Sequence, residues 1–293
     1  VVFTVPHELG AIAYQNKRVV YHILCRATAE TLRTIAADPK HLGAEIGFLA
    51  VLHTWGQTLL HHPHLHCVVP GGGIAPDGTR WVACRPGFFL PVRVLSRLFR
   101  RLFLEQLEQA YSTGQLQFSA ALASLQDPQS FAAYLAPLRR SEWVVYAKKP
   151  FGSAQRVLDY LGRYTHRVAL SNNRLLNMDQ EQITFRWKNY RQHDKQKLMT
   201  LTPTEFIRRF LLHVLPSGFQ RIRHFGFLGN RYRQAKLAAV SPVTPPRLDY
   251  RDRYEQLTGT SLRRCPVCTQ GQMQRVETLP APVHVQVPGW DSS

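Results

Sequence analysis

The chain has 293 residues, 44% of them hydrophobic, and carries 37 Lys and Arg against 19 Asp and Glu, a net charge of +18. That apolar share supports a substantial core, in one large domain or two smaller ones, and excludes wholesale disorder. The basic residues are spread along the chain rather than gathered in a tail, and no uncharged apolar run is long enough to span a bilayer. The expected partner is therefore nucleic acid rather than a membrane.

The opening Val1-Val2-Phe3-Thr4-Val5-Pro6 lacks an initiator Met and the basic start of a signal peptide. It reads as a strand already under way in an N-terminally truncated chain. Tyr14 to Ala37 has helical apolar spacing and stops at Asp38-Pro39. Ile46 to Thr54 is a near-continuous apolar run, as a buried central strand would be. His61 to Val69 alternates as a strand and ends at Pro70-Gly71-Gly72-Gly73. Asp77-Gly78 then marks a turn into a further strand, Arg80 to Cys84, which predicts a hairpin-like antiparallel unit. Helices are expected from Pro91 to Ala110 and over roughly Asp127 to Leu138.

Glu142 to Lys149 predicts a strand, and Ser153 is placed to cap a helix running to about Arg167. Strands at Ile183 to Lys188 and Lys197 to Leu201 precede a helix that opens at Thr202-Pro203 and runs to about Val214. From Gly218 the chain mixes arginine with aromatics, and beyond Val240 proline density rises. This gives a domain over 1–216, a basic aromatic extension over 217–240, and a Pro-rich linker with a flexible tail over 241–293. The fold class expected is α+β, with a central antiparallel sheet flanked by helices.

Three groups of residues bear on chemistry. His64 and His66, separated by one apolar residue on a strand, point to one face and are suited to a divalent metal. Tyr160 and Tyr164 stand one helical turn apart, so both phenols leave the same face of their helix. Arg163 and Arg167 share that helix, and Lys148 and Lys149 precede it. Together these are the parts for phosphodiester cleavage by tyrosine. The phenol is a weak nucleophile at neutral pH, a cation offsets developing charge on phosphate, and nearby Lys and Arg hold the backbone.

At these residues the chain resembles the HUH superfamily of single-strand DNA nucleases. It is most similar to the two-tyrosine, rolling-circle insertion-sequence transposases of the insertion sequence ninety-one type. The resemblance is carried by Val2-Phe3-Thr4-Val5-Pro6-His7-Glu8-Leu9, His62-Pro63-His64-Leu65-His66-Cys67-Val68-Val69-Pro70-Gly71-Gly72-Gly73 and Tyr160-Leu161-Gly162-Arg163-Tyr164-Thr165-His166-Arg167. Glu205-Phe206-Ile207-Arg208-Arg209-Phe210 and Arg223-His224-Phe225-Gly226 extend it. The resemblance implies an HUH-like fold with Mg²⁺ or Mn²⁺ on His64, His66 and a third polar ligand. It also implies Tyr160 and Tyr164 as nucleophiles that form 5′-phosphotyrosine links and release a 3′-hydroxyl. Single-stranded DNA or hairpin transposon ends would be the substrate, in the bacterial cytoplasm at the nucleoid. A replication initiator of the same superfamily, or a catalytically silent DNA-binding remnant, would share many of these features. The oligomeric state is not specified by the sequence.

For the third ligand, His53, Gln57 and His62 are candidates by position, although each is better suited to packing or to facing DNA. Cys265 and Cys268 have the spacing of half a zinc site, and a structural Zn²⁺ site needs four ligands. Arg221 and Arg223, with His224, Phe225, Arg231, Tyr232 and Arg233, suit either a single-strand DNA track or a basic surface segment whose aromatics pack on the core.

Overall fold

The computed structural model describes residues 1–148, 150–151, 154–166, 169–179, 181–189, 195–231, 233–240, 255, 261–265, 268 and 270–273. In chain order the strands are β1 (Val2–Thr4), β2 (Gly47–Trp55), β3 (His61–Val68), β4 (Gly72–Ile74), β5 (Trp81–Ala83), β6 (Val145–Tyr146), β7 (Leu175–Met178), β8 (Ile183–Asn189), β9 (Lys195–Leu201) and β10 (Ile222–Gly226). The helices are α1 (Gly10–Gln15), α2 (Lys17–Ala37), α3 (Val92–Ser112), α4 (Pro128–Arg140), α5 (Ala154–His166), α6 (Pro203–Leu211) and α7 (Arg233–Val240). Residues Val1–Val240 form one compact unit and Ser241–Ser293 another. Among the described residues no helix is long and apolar enough to cross a membrane.

The α+β expectation holds. Five strands form an antiparallel sheet in the order β10-β2-β3-β1-β6, with the histidine strand at its centre. One face carries Phe3, Phe48, Ala50, Leu52, Leu65 and Cys67, all buried in the main core with Leu24 and Leu32 of α2 and Phe99 and Phe103 of α3. Phe3 meets Phe99 edge-on at 5.0 Å, and Phe99 meets Trp143 at 5.5 Å, so aromatic contacts fix the helices on the sheet. The odd positions of β2 and the even positions of β3 are left for the opposite face.

Several elements differ from expectation. The first helix is broken at Asn16 (φ −118°, ψ 40°), whose side chain bonds Ile12 O, Gln117 O and Gln117 N. A mid-helix Asn competes with the backbone in this way, and the apolar spacing does not reveal it. The strand after Asp77-Gly78 pairs with β4, not with the histidine strand, and the two form a separate sheet. The 217–240 stretch supplies β10, which pairs with β2 from Ile222↔Val51 to Gly226↔Gly47. The two backbones approach so closely there that a Cβ on Gly226 (φ +60°) would lie 1.8 Å from Ile46 O. Only glycine satisfies both the dihedral and the space.

The third sheet, β7-β8-β9, lies between α5 and α6 in the chain. It packs Phe185 against Leu59 and Ala169 in a second, smaller core that also holds Trp55 and Phe206. Asp127 caps α4 by accepting from Ser130 N at 2.8 Å, and Thr202 caps α6 by accepting from Glu205 N at 3.3 Å.

Candidate functional site

The antiparallel register builds the site. His53 is paired directly with His64, and Val51 with His66, so the three histidines share the face turned away from the main core. Ring centroids are 4.2 Å apart for His53 and His66, 5.0 Å for His64 and His66, and 5.3 Å for His53 and His64. One nitrogen from each lies within 4.8 Å of the others, an arrangement able to hold a metal ion. A bulge in β2 between His53 and Trp55 shifts the register just beyond the pair. His53 is thus the third imidazole, the candidate that sequence position alone ranked as a packing residue. Gln57 is engaged elsewhere, and the His62 ring stands 5.7 Å from that of His64 without joining the group.

Burial keeps His64 and His66 neutral. It pulls His64 down to about 4 and His66 down to about 2, with the neighbouring His64, the Val1 ammonium and Lys148 adding to the effect on His66. The lone pairs that ligation requires are therefore available at neutral pH. His64 Nδ1 donates to the His62 carbonyl at 2.8 Å, which leaves Nε2 as its lone-pair nitrogen. The chemistry of the donor set fits a divalent cation, and three imidazoles suit a transition ion such as Mn²⁺ better than Mg²⁺.

Tyr160 comes to this cluster from α5. Its phenolic oxygen is 2.6 Å from His66 Nδ1, and its ring rests on Phe151 at 5.1 Å. Tyr164 lies one turn further along α5. The side chains of Tyr164 and Arg163 lie outside what the structure describes, as do residues Lys149 and Arg167. Lys148 is exposed, and its charge is felt at His66.

The two arginines of the basic aromatic stretch part company. Arg221 stacks over Trp55 at 4.9 Å and donates to Leu52 O, and Trp55 in turn stacks on His53 at 4.7 Å. Arg221 therefore borders the histidine site. Arg223 pairs with Ala50, on the helix-covered face, and lies over Phe219. Arg221 precedes β10 and Arg223 lies within it, and it is their contacts that separate them, Trp55 for one and Phe219 for the other. In the second unit, Gly271 N donates to Cys268 Sγ at 3.3 Å, and Cys265 N donates to Gly271 O at 2.7 Å. Among the described residues no third ligand accompanies this cysteine pair.

The loop joining β2 to β3 is held by side chains from later in the chain. Arg174 donates to Gln57 O at 2.8 Å, Arg209 to Thr58 O at 3.0 Å, and His213 Nε2 to Leu59 O at 3.1 Å. His213 Nδ1 faces Thr54 Oγ1 at 3.2 Å, and Leu59 is fully buried at φ 62°. Three consecutive carbonyls are thereby fixed between the strand of His53 and the strand of His64 and His66.

A family model described as "Putative transposase" (Y2_Tnp) matches residues 47–236. The chain is 66% identical over 288 residues to "Putative transposase y4qJ" of Sinorhizobium fredii, a match that covers 94% of this chain and 72% of that protein. It is 26% identical over 277 residues to the transposase for insertion sequence element IS801 of Pseudomonas savastanoi pv. phaseolicola, covering 91% of this chain and 64% of that protein. Among solved structures, conjugative relaxase TrwC in complex with mutant OriT DNA matches at 13% identity and a TM-score of 0.30, over 83% of this chain and 72% of that one.

Proposed function

Since the chain belongs to the Y2_Tnp transposase family, we propose that it cleaves and rejoins single-stranded DNA through a tyrosine nucleophile at the His53–His64–His66 cluster. The observation that carries this reading is the Tyr160 phenol 2.6 Å from His66 Nδ1, beside a cluster of three imidazoles. His53, His64 and His66 would hold a divalent cation, Mn²⁺ or Mg²⁺, which when bound offsets the charge that develops on the scissile phosphate.

His66 would offer Nε2 as its ligating nitrogen, and its Nδ1–H would then donate to the phenolic oxygen, favour the phenolate and aim it. Tyr160 Oη then bonds to phosphorus as the bond from phosphorus to O3′ breaks. The fragment on the 3′ side of the break stays on the enzyme through its 5′-phosphate, and O3′ leaves on the other fragment as a hydroxyl, taking up the proton that the phenol gives up. The phosphodiester energy is kept in the phosphotyrosine, so a second 3′-hydroxyl can reverse the step and join strands without ATP. Tyr164, one turn along α5, supplies a second nucleophile for a second strand. Arg221 and Lys148 border the cluster and hold the backbone by charge.

The test is incubation of the full chain with a labelled single-stranded oligonucleotide and Mn²⁺. A protein adduct on the 5′ end of one fragment, absent for Tyr160→Phe with Tyr164→Phe, is expected. An adduct on the 3′ end, or cleavage by the double variant, would refute the reading.

A further inference from the structure

The β8–β9 ribbon is not used by this chemistry. Its register is unbroken from Ile183↔Leu201 to Asn189↔Lys195. Ile183 and Phe185 turn inward and are buried, and Trp187 follows them with Lys197 over its ring. The outer face presents Thr184, Arg186 and Lys188 opposite Thr200, Leu198 and Gln196. Arg186, Gln196 and Thr200 are exposed, and Leu198 is 64% exposed. Neither strand contains a carboxylate, whereas Arg186, Lys188, Lys195 and Lys197 all lie on them. Among the described residues beside the ribbon, the acidic ones, Asp179 and Glu181, sit at the far end of β8 by the turn from β7, and in the sequence Asp194 precedes Lys195.

The basic end of the ribbon is fastened to the site. Arg174 bridges Arg186 O at 2.8 Å and Gln57 O at 2.8 Å, and Lys188 N donates to Gln57 Oε1 at 3.3 Å. Gln57 lies in the loop that joins the His53 strand to the His64 and His66 strand.

We propose that the outer face of β8–β9 seats in the major groove of duplex DNA next to the strand being cut, an inference that rests on the strand-cleavage reading above. Charge selects DNA, and the composition of the face selects duplex. A single strand binds by stacking its bases on rings, yet the rings of these two strands are directed inward. The outward groups are those that read base edges: Arg for guanine, Gln for adenine, Thr for either, and an apolar Leu for the thymine methyl. A two-stranded ribbon also fits the width of the major groove. Because the ribbon is bonded to the loop between the histidine strands, the distance from stem to cut is set by the protein.

The test uses the chain carrying Tyr160→Phe with Tyr164→Phe, so that binding is read apart from cleavage. Fluorescence anisotropy compares a DNA hairpin bearing a single-stranded 5′ arm with the arm alone. The protein should prefer the hairpin by about tenfold or more, and R186A with Q196A should remove most of that preference while leaving affinity for the arm unchanged. R186K, which keeps the charge but not the bidentate fork, should lose the preference too. Both side chains are exposed, and an unchanged melting temperature checks folding. No preference for the hairpin in the parent, an equal loss on both probes, or no loss on either would overturn the proposal. Hairpin preference, together with failure of the unsubstituted chain to form the covalent adduct, would refute the cleavage reading and leave the ribbon standing.

Discussion

His213 offers the sharpest test of how the site is held. It is 3% exposed and joins Thr54 to Leu59 O across the loop between the ligand strands. His213→Phe keeps a flat ring and removes both nitrogens, leaving a buried carbonyl and a buried hydroxyl unpaired. At roughly 1–3 kcal/mol each, the loss at neutral pH should be about 2–6 kcal/mol. For a domain of this size that is a fall in Tm of roughly 5–20 °C. His213→Gln, which can still donate to Leu59 O, should recover about half of it. Acid adds a second signature. Burial holds His213 at about 4, below its ordinary 6.5, so the folded state prefers the neutral ring. Its contribution is whole above pH 6.5 and is lost as the pH falls towards 4, by about 3 kcal/mol in all. Thermal unfolding followed by circular dichroism between pH 8 and pH 4 would show the parent losing stability faster than His213→Phe, the two curves converging in acid. A variant within about 2 °C of the parent at neutral pH, or curves that stay parallel, would refute the role given to this ring.

Replacing His53 or His66 with Ala should weaken Mn²⁺ binding in calorimetry by about a hundredfold or more while DNA affinity is largely kept, and unchanged binding by His53→Ala would remove it from the ligand set. Tyr160→Phe alone should leave residual nicking through Tyr164, and the double Phe variant none, as read on denaturing gels. DNA affinity should fall steeply between low and physiological salt, which a titration at several ionic strengths would measure. Intact linear duplex should be cut far more slowly than single strand, and equal rates would contradict the model of the site.

The histidine strand and the tyrosine helix were legible because each shows its own period, two for His64 and His66 and nearly four for Tyr160 and Tyr164. His53 was not. Its strand is buried on both faces, so Phe48-Leu49-Ala50-Val51-Leu52 reads as a continuous apolar run with no alternation to show which way His53 points. Its pairing with His64 is a matter of register across a bulged turn, which local pattern does not encode. The same limit concealed β10. Ile222 to Gly226 is short and carries two basic residues, so composition suggested a surface track where long-range pairing makes a strand. The clamps on Gln57, Thr58 and Leu59 come from residues far along the chain, and no motif announces a donor to a carbonyl.

The pairing of β10 with β2 has a consequence for biogenesis. β2 leaves the ribosome early, with an uncharged, proline-free apolar centre and one edge uncovered. The strand that covers that edge is the last of the ten to be made. Throughout that interval the nascent chain offers open amide and carbonyl groups along a sequence well suited to intermolecular pairing. When β10 arrives it brings Arg223 and His224 to the new outer edge, so the finished molecule presents a short basic border where the unfinished one presented an apolar template. Chains cut short before Ile222 should consequently collect in the insoluble fraction, as centrifugation of lysates would show.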